Sequence, residues 1–183
     1  MKAALLDRDG VINQKVPEGE YVAHWEGIHF LPGVFSAVRA LEQAGFKIII
    51  VTNQRGVALG KVRSTDLEEI HQRLREEFSR RGIHLTDIYV CPHDLADRCS
   101  CRKPNPGMLL RAAEEHGIDL AASWMIGDAP SDIEAGRRAG CKTVRIQAVQ
   151  SPYGNDHQAD ISSPNLVSAV HSILQLSKVS DQS

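Results

Sequence analysis

The chain has 183 residues, 42% of them hydrophobic and 24% charged, with a formal charge of −2 at neutral pH. That length suffices for one soluble domain spanning 1–183 with a sizeable core, and no second domain is expected. The near-neutral balance, without any Lys/Arg block, excludes an electrostatic footprint for nucleic acid or an anionic membrane surface, so a small molecule is the expected partner.

The elements follow in chain order. The apolar run Ala3–Leu6 predicts a first buried strand; it meets Asp7 before a signal-peptide apolar core can form, and no run reaches membrane-spanning length, so a cytoplasmic protein is expected. Pro32-Gly33 opens a helix that ends at Gly45, and 47–52 reads as the second strand. Thr65 and Glu68 form a capping box for a helix ending near Gly82, followed by a third strand at 88–91. A helix from Pro106 to Gly117, a fourth strand at 124–126, a second capping box at Ser131 and Glu134 before Gly140, and a fifth strand at 143–146 complete the pattern. The polar stretch 147–163 reads as a surface loop, 165–176 as a last helix, and the Ser-rich tail beyond as frayed. Short apolar runs alternating with helices predict an α/β fold with a doubly wound parallel sheet.

Chemically loaded residues follow the strands: Asp7 after the first, Thr52-Asn53 after the second, Cys91-Pro92-His93 after the third and Gly127-Asp128 after the fourth. In an open parallel sheet this carboxyl edge is where ligands bind. Asp7 and Asp9, with Gly10 permitting a sharp turn, can face one cavity, although Asp and Gly are ordinary turn residues when such a string stands alone. Thr52-Asn53 offers a hydroxyl and backbone donors suited to phosphate oxygens, and Gln54-Arg55 extends that polar reach. The plainer account of the same pair is a strand-ending threonine and a turn asparagine. Gly127-Asp128, with Ser131 and Asp132, can be a strand end and a helix cap. Yet so many carboxylates on one edge are costly without a cation, and Mg²⁺ bound through carboxylates, waters and a substrate phosphate removes that cost.

Between Cys91 and Cys101 the chain gathers Cys91, His93, Cys99 and Cys101. Three thiolates and one imidazole are the ligand set of a closed, structural Zn²⁺ site, and the spacing is that of a metal site in a reducing compartment rather than a disulfide framework. Buried free cysteines beside a surface histidine are the alternative. Cys141 reads as a small buried residue. Arg102 and Lys103 adjoin the staple. Lys103, just before Pro104, is outside any helix and is expected to project over the sheet edge as a point charge suited to a phosphoryl group.

The strings Leu6-Asp7-Arg8-Asp9-Gly10-Val11-Ile12-Asn13, Val51-Thr52-Asn53-Gln54, Cys101-Arg102-Lys103-Pro104-Asn105-Pro106-Gly107-Met108 and Gly127-Asp128 through Asp132 resemble the four motifs of the haloacid dehalogenase superfamily. Among its members they are most similar to the heptose-1,7-bisphosphate 7-phosphatase family. The related histidinol-phosphate phosphatase family shares Cys-Pro-His and Cys-x-Cys-Arg-Lys, and Pro-Gly-Met favours the heptose family. The resemblance implies a Rossmann-like fold acting on a sugar phosphate; no insertion is long enough for a separate cap domain beside the zinc-stapled loop, and nothing in the sequence demands more than a monomer. It makes Asp7 the nucleophile and Asp9 the general acid and base. Mg²⁺ would be held by the carboxylates of Asp7 and Asp128 and the carbonyl of Asp9. Thr52 and Lys103 would hold the transferring oxygens, with Asn53, Gln54 and Arg55 beside them, and Arg102 would grip the phosphate that is not removed. Asp132 would support Lys103 or a metal-bound water.

Ala129 departs from the pattern, since many relatives carry a basic residue there, and Arg55 replaces a residue that is often small. The competing readings are a histidinol-phosphate phosphatase, which needs acidic groups near the leaving group, a phosphoryl-accepting receiver module and a zinc-stapled binding protein without catalysis. Asp9 opposes the receiver reading, because a base two residues from the nucleophile shortens the life of a phospho-aspartate.

Overall fold

The computed structural model describes residues 1–147 and 159–180. Six parallel strands form one sheet in the order β3-β2-β1-β4-β5-β6: β1 (Ala3–Leu6), β2 (Lys47–Asn53), β3 (Leu85–Cys91), β4 (Trp124–Gly127), β5 (Lys142–Ile146) and β6 (Ile161–Ser163). The helices are α1 (Val34–Gln43), α2 (Ser64–Arg80), α3 (Gly107–His116), α4 (Pro130–Ala139) and α5 (Leu166–Ser180).

Every residue of β1 and β4 is buried, as expected of strands covered on both faces. Successive side chains go to opposite sides. Ala4, Leu6, Ile48, Ile50 and Ile126 pack with Val38 and Leu41 of α1, Leu74 of α2 and Ile173 of α5, whereas Ala3, Leu5, Ile49, Val51 and Met125 pack with Leu109 and Ala112 of α3 and Ala135 of α4. The strand order reverses at β1, which lies between β2 and β4, and this switch point opens a crevice beyond the carboxyl ends of β1 and β4. The expected doubly wound sheet is present, with no capping domain inserted among the described residues.

Several local expectations are corrected. β3 begins at Leu85, ahead of the expected 88, because Thr86 and Asp87 are polar residues on an edge strand with one flank open. Within the stretch read as a loop, Ile161–Ser163 pairs with β5 as β6; residues 148–158 of that stretch lie outside the described residues. Thr65 and Glu68 form no capping box: α2 starts one residue after Arg63, whose guanidinium donates to Asp66 at 2.8 Å from both Nε and Nη2. In α4 the capping carboxylate is Asp132, which accepts the Ala129 N–H at 2.9 Å, while Glu134 pairs with Arg138 at 2.7 Å. Helix α5 continues to Ser180, past the expected end at 176, and the last three residues of the tail lie outside the described residues.

Candidate active site

Beyond the ends of β1 and β4, the carboxylates of Asp7, Asp128 and Asp132 offer oxygens within 4.8 Å of one another. Two close approaches require glycine. A Cβ on Gly10, whose φ is +91°, would lie 2.6 Å from Asp128 Cγ, and one on Gly127 would lie 2.2 Å from Asp132 Cβ. Gly10 therefore lets the loop after β1 close on Asp128, and Gly127 lets Asp132 fold back against the end of β4.

Lys103 neutralises this cluster from beneath. Its side chain is 2% exposed, and its ammonium donates to Asp7 Oδ1 at 2.9 Å and the Val51 carbonyl at 2.7 Å and pairs with Asp132 Oδ1 at 2.7 Å. Three donors meet three acceptors, so the amine is saturated rather than projecting freely over the edge. Burial disfavours its charge, but Asp132 and Asp7 overcome this and hold the ammonium more firmly than usual. The lysine backbone is clamped by the Asn53 amide, which accepts from Lys103 N at 3.1 Å and donates to Lys103 O at 3.0 Å. Asn53 thus anchors the lysine to β2 and also lines the crevice.

Burial pushes the Asp7 carboxyl up to about 7 against the pull of Lys103, with repulsion from Asp132, Asp128 and Asp9 adding to the rise. Asp128 is also raised, chiefly by burial and against Lys15, whose ammonium lies 2.7 Å from Oδ2. Its other oxygen, Oδ1, is buried and has no hydrogen-bond partner among the described residues. A buried anionic oxygen without a donor, beside two further carboxylates, is the environment a hard divalent cation fits, and Asp7 and Asp128 are the residues placed to hold one.

Asp9 has the opposite electrostatics. It accepts from Arg8 at 2.9 and 3.0 Å, from the Asn13 amide at 2.9 Å and from the Gln54 amide at 2.9 Å. Burial pushes its carboxyl up, but Arg8 and these donors outweigh burial and hold it below the usual range. Arg8 is itself wholly buried, with Nη1 3.4 Å from His71 Nε2 on α2. Burial, with Arg8 and Arg75 nearby, pushes His71 down to about 3, so the ring is neutral and able to accept. Gln54 also donates to Thr52 Oγ1 at 2.9 Å, linking the second strand end to Asp9.

These groups border a crevice of about 310 Å³ lined by Asp7, Asp9, Asn53, Gln54, Arg55, Arg102, Lys103 and Asp132. Thr52 lies just beneath, 1% exposed. The Arg55 Nε donates to Asp94, which ties the loop after β2 to the loop after β3. Arg102 Nη1 donates to the His93 carbonyl at 3.3 Å.

In that second loop the four expected ligands converge. Sulfur–sulfur separations among Cys91, Cys99 and Cys101 are 3.3 to 3.6 Å, and His93 Nδ1 is 3.2 Å from Cys101 Sγ and 3.6 Å from Cys91 Sγ. Zn–S bonds of about 2.3 Å give a tetrahedral edge of about 3.8 Å, so the quartet suits one tetrahedral ion.

Every site residue expected from the sequence lies on this edge of the sheet. Lys15, Arg8, Asn13 and His71 were not foreseen as site residues. Arg8 and Asn13 stand inside the first motif string, so their neighbourhood was the available signal. Lys15 stands in the loop 14–30, which without a cap domain has to shape the pocket, so its segment was the signal; His71 gave none, because it reaches the site only through the fold.

A family model described as HAD-hydrolase-like matches residues 100–167. The D-glycero-beta-D-manno-heptose-1,7-bisphosphate 7-phosphatase of Helicobacter pylori is 40% identical over 157 residues, covering 85% of this chain and 88% of that protein. The enzyme of the same name from Escherichia coli is 40% identical, covering 82% and 81% respectively. The crystal structure of D,D-heptose 1,7-bisphosphate phosphatase from B. bronchiseptica, complexed with magnesium and phosphate, superposes with a TM-score of 0.86 at 32% identity, covering 96% of this chain and 99% of that one. With its four motifs folded onto one crevice, the chain belongs to the heptose-1,7-bisphosphate 7-phosphatase family of haloacid dehalogenase-like hydrolases.

Proposed function

We propose that this chain hydrolyses the 7-phosphate of D-glycero-β-D-manno-heptose 1,7-bisphosphate through an aspartyl phosphate on Asp7. The observation that carries the reading is Asp7 held by the saturated Lys103 in the lining of a crevice that Asp9 and Arg102 also line. The names of the H. pylori and E. coli relatives support the β anomer.

In this mechanism Lys103 orients Asp7 and offsets its charge, so one carboxylate oxygen attacks phosphorus while the sugar oxygen departs. Mg²⁺, held by Asp7 and Asp128 with the Asp9 carbonyl, supplies charge neutralisation for the phosphoryl oxygens when bound. An arriving phosphate adds negative charge beside Asp9 and competes for the Gln54 amide. Both effects lift the Asp9 carboxyl from its depressed state toward the acid that protonates the leaving oxygen. Asp9 then takes a proton from the water that hydrolyses the phospho-aspartate. Thr52 and the backbone beside Asn53 and Gln54 bind the transferring oxygens. Arg102, with Arg55 behind it, binds the retained 1-phosphate, for which a planar guanidinium is suited. We assign Asp132 to holding Lys103, and the Cys91, His93, Cys99 and Cys101 quartet to one structural Zn²⁺ that fixes Arg102 and Lys103 in place. Elemental analysis of purified protein should find about one zinc per chain; none would remove that assignment.

Glu18 and Glu20 also line the crevice, which favours a second reading, the cationic substrate histidinol phosphate. Phosphate release from both heptose bisphosphate anomers and from histidinol phosphate, compared by kcat/KM, separates the two. Preference for the β bisphosphate is expected, with Arg102→Ala raising KM for the bisphosphate and leaving monophosphates little affected. Preference for histidinol phosphate would reverse the assignment.

A further inference from the structure

We propose that Lys15 is a positioning residue for the metal-bearing carboxylate: by holding Asp128 Oδ2, it presents the buried Oδ1 to the cation. The inference rests on the magnesium reading above. Asp128 is fixed on three sides. Arg145 Nε, from β5, donates to its backbone carbonyl at 2.9 Å. Gly10 packs against its carboxylate so closely that even a Cβ there would overlap it. Lys15 takes Oδ2 at 2.7 Å.

With the backbone, the flank and one oxygen held, rotation about the last side-chain bond is arrested. The partnerless Oδ1 is then the oxygen left to bind. A carboxylate that chelates through one oxygen gains from a donor on the other, and losing such a donor commonly costs roughly 10- to 100-fold in metal affinity.

The opposite effect also has a clear sign. An ammonium beside the site repels a divalent cation, so if Lys15 served only as a stand-in counter-ion its removal would tighten binding. The two roles therefore predict changes in opposite directions. The Lys15 side chain is 48% exposed, against 17% for Asp128, so truncating it should leave the fold intact.

Calorimetric titration of Mg²⁺ into the metal-free active site of the full chain, with the Cys/His quartet loaded, decides the matter. Lys15→Met is expected to weaken Mg²⁺ binding about 10-fold or more. Lys15→Arg, which restores a cationic donor, should recover most of that loss. The Mg²⁺ concentration for half-maximal rate should rise in Lys15→Met by about the same factor as the loss of affinity and return toward wild type in Lys15→Arg. Equal or tighter binding by Lys15→Met would overturn the proposal and leave the magnesium reading standing. Wild-type binding that Asp128→Asn does not alter would overturn both.

Discussion

Among the described residues, two groups of ligand-type side chains outside the cysteine loop invite comparison: Asp7, Asp128 and Asp132 beyond the ends of β1 and β4, and Asp87, Glu115 and His116 on the outer flank of β3 and α3. Both bring three donors within reach of one ion. In the outer group each acid is already paired. Asp87 accepts from Arg75 at 2.7 Å and from the Ile88 N–H at 2.7 Å, with His116 at 3.3 Å, and Glu115 accepts from Arg111 at 2.8 Å and the Tyr89 hydroxyl at 2.5 Å. Burial opposes ionisation of Asp87, but Arg75 and the Ile88 amide prevail and hold it below the usual range. In the first group burial prevails, and Asp7 and Asp128 are pushed up instead. Proximity of carboxylates is common to both; what differs is that burial outweighs pairing at Asp7 and Asp128, while pairing outweighs burial at Asp87.

The largest expected contrast is in turnover. Asp7→Asn removes the nucleophile and should lower kcat by on the order of 10⁴-fold or more, whereas Asp87→Asn should change it less than about twofold, since it touches nothing in the crevice. Comparable losses in the two variants, measured as steady-state phosphate release, would dissolve the distinction between the clusters.

Next in size is the response to metal. Saturating Mg²⁺ at about 100 times its dissociation constant should stabilise the wild type by about 2.7 kcal/mol, read as a rise in Tm. Asp128→Asn should abolish most of that rise, and Asp87→Asn should leave it whole. A Mg²⁺-dependent rise that survives in Asp128→Asn but disappears in Asp87→Asn would place the cation at the outer cluster.

The comparison also explains what was legible in the sequence. β1, β2 and β4 carry apolar runs, and the acids and threonine at their carboxyl ends needed only the rule that parallel sheets bind ligands at that edge. The cysteine–histidine quartet is local in sequence, so spacing alone brought its ligands together. β6 has only three residues, Ile161, Ser162 and Ser163, and its identity comes from pairing with β5 rather than from an apolar pattern. Capping was misjudged for a related reason: Asp132 both caps α4 and holds Lys103, so the cap is chosen by a tertiary contact. The paired state of Asp87 was hidden as well, because Arg75 reaches it from α2 and His116 from α3.

The smallest expected effect is on the pH dependence of stability in the metal-free protein, where the clusters should slope in opposite directions. Asp7, raised to about 7 when folded, contributes stability that is fully present below the ordinary carboxylate pKa of 3.8 and lost as pH rises through about 7. Asp7 should therefore contribute a loss of stability to the metal-free wild type as pH rises from about 4 to 7, opposed by the gain that His71, held neutral by burial, contributes over nearly the same range. Asp7→Asn should remove this contribution and leave that of Asp128, which is raised too. Asp87 is lowered when folded, so its contribution is present above the ordinary carboxylate range and is lost as pH falls below it. Asp87→Asn should accordingly cost up to about 1 kcal/mol at neutral pH, the worth of a partly exposed ion pair, and almost nothing near pH 3. Thermal melts of the two variants and the wild type across pH 3 to 8 measure both slopes. Slopes of the same sign would mean that burial and pairing do not divide the acids of this protein in the way their partners indicate.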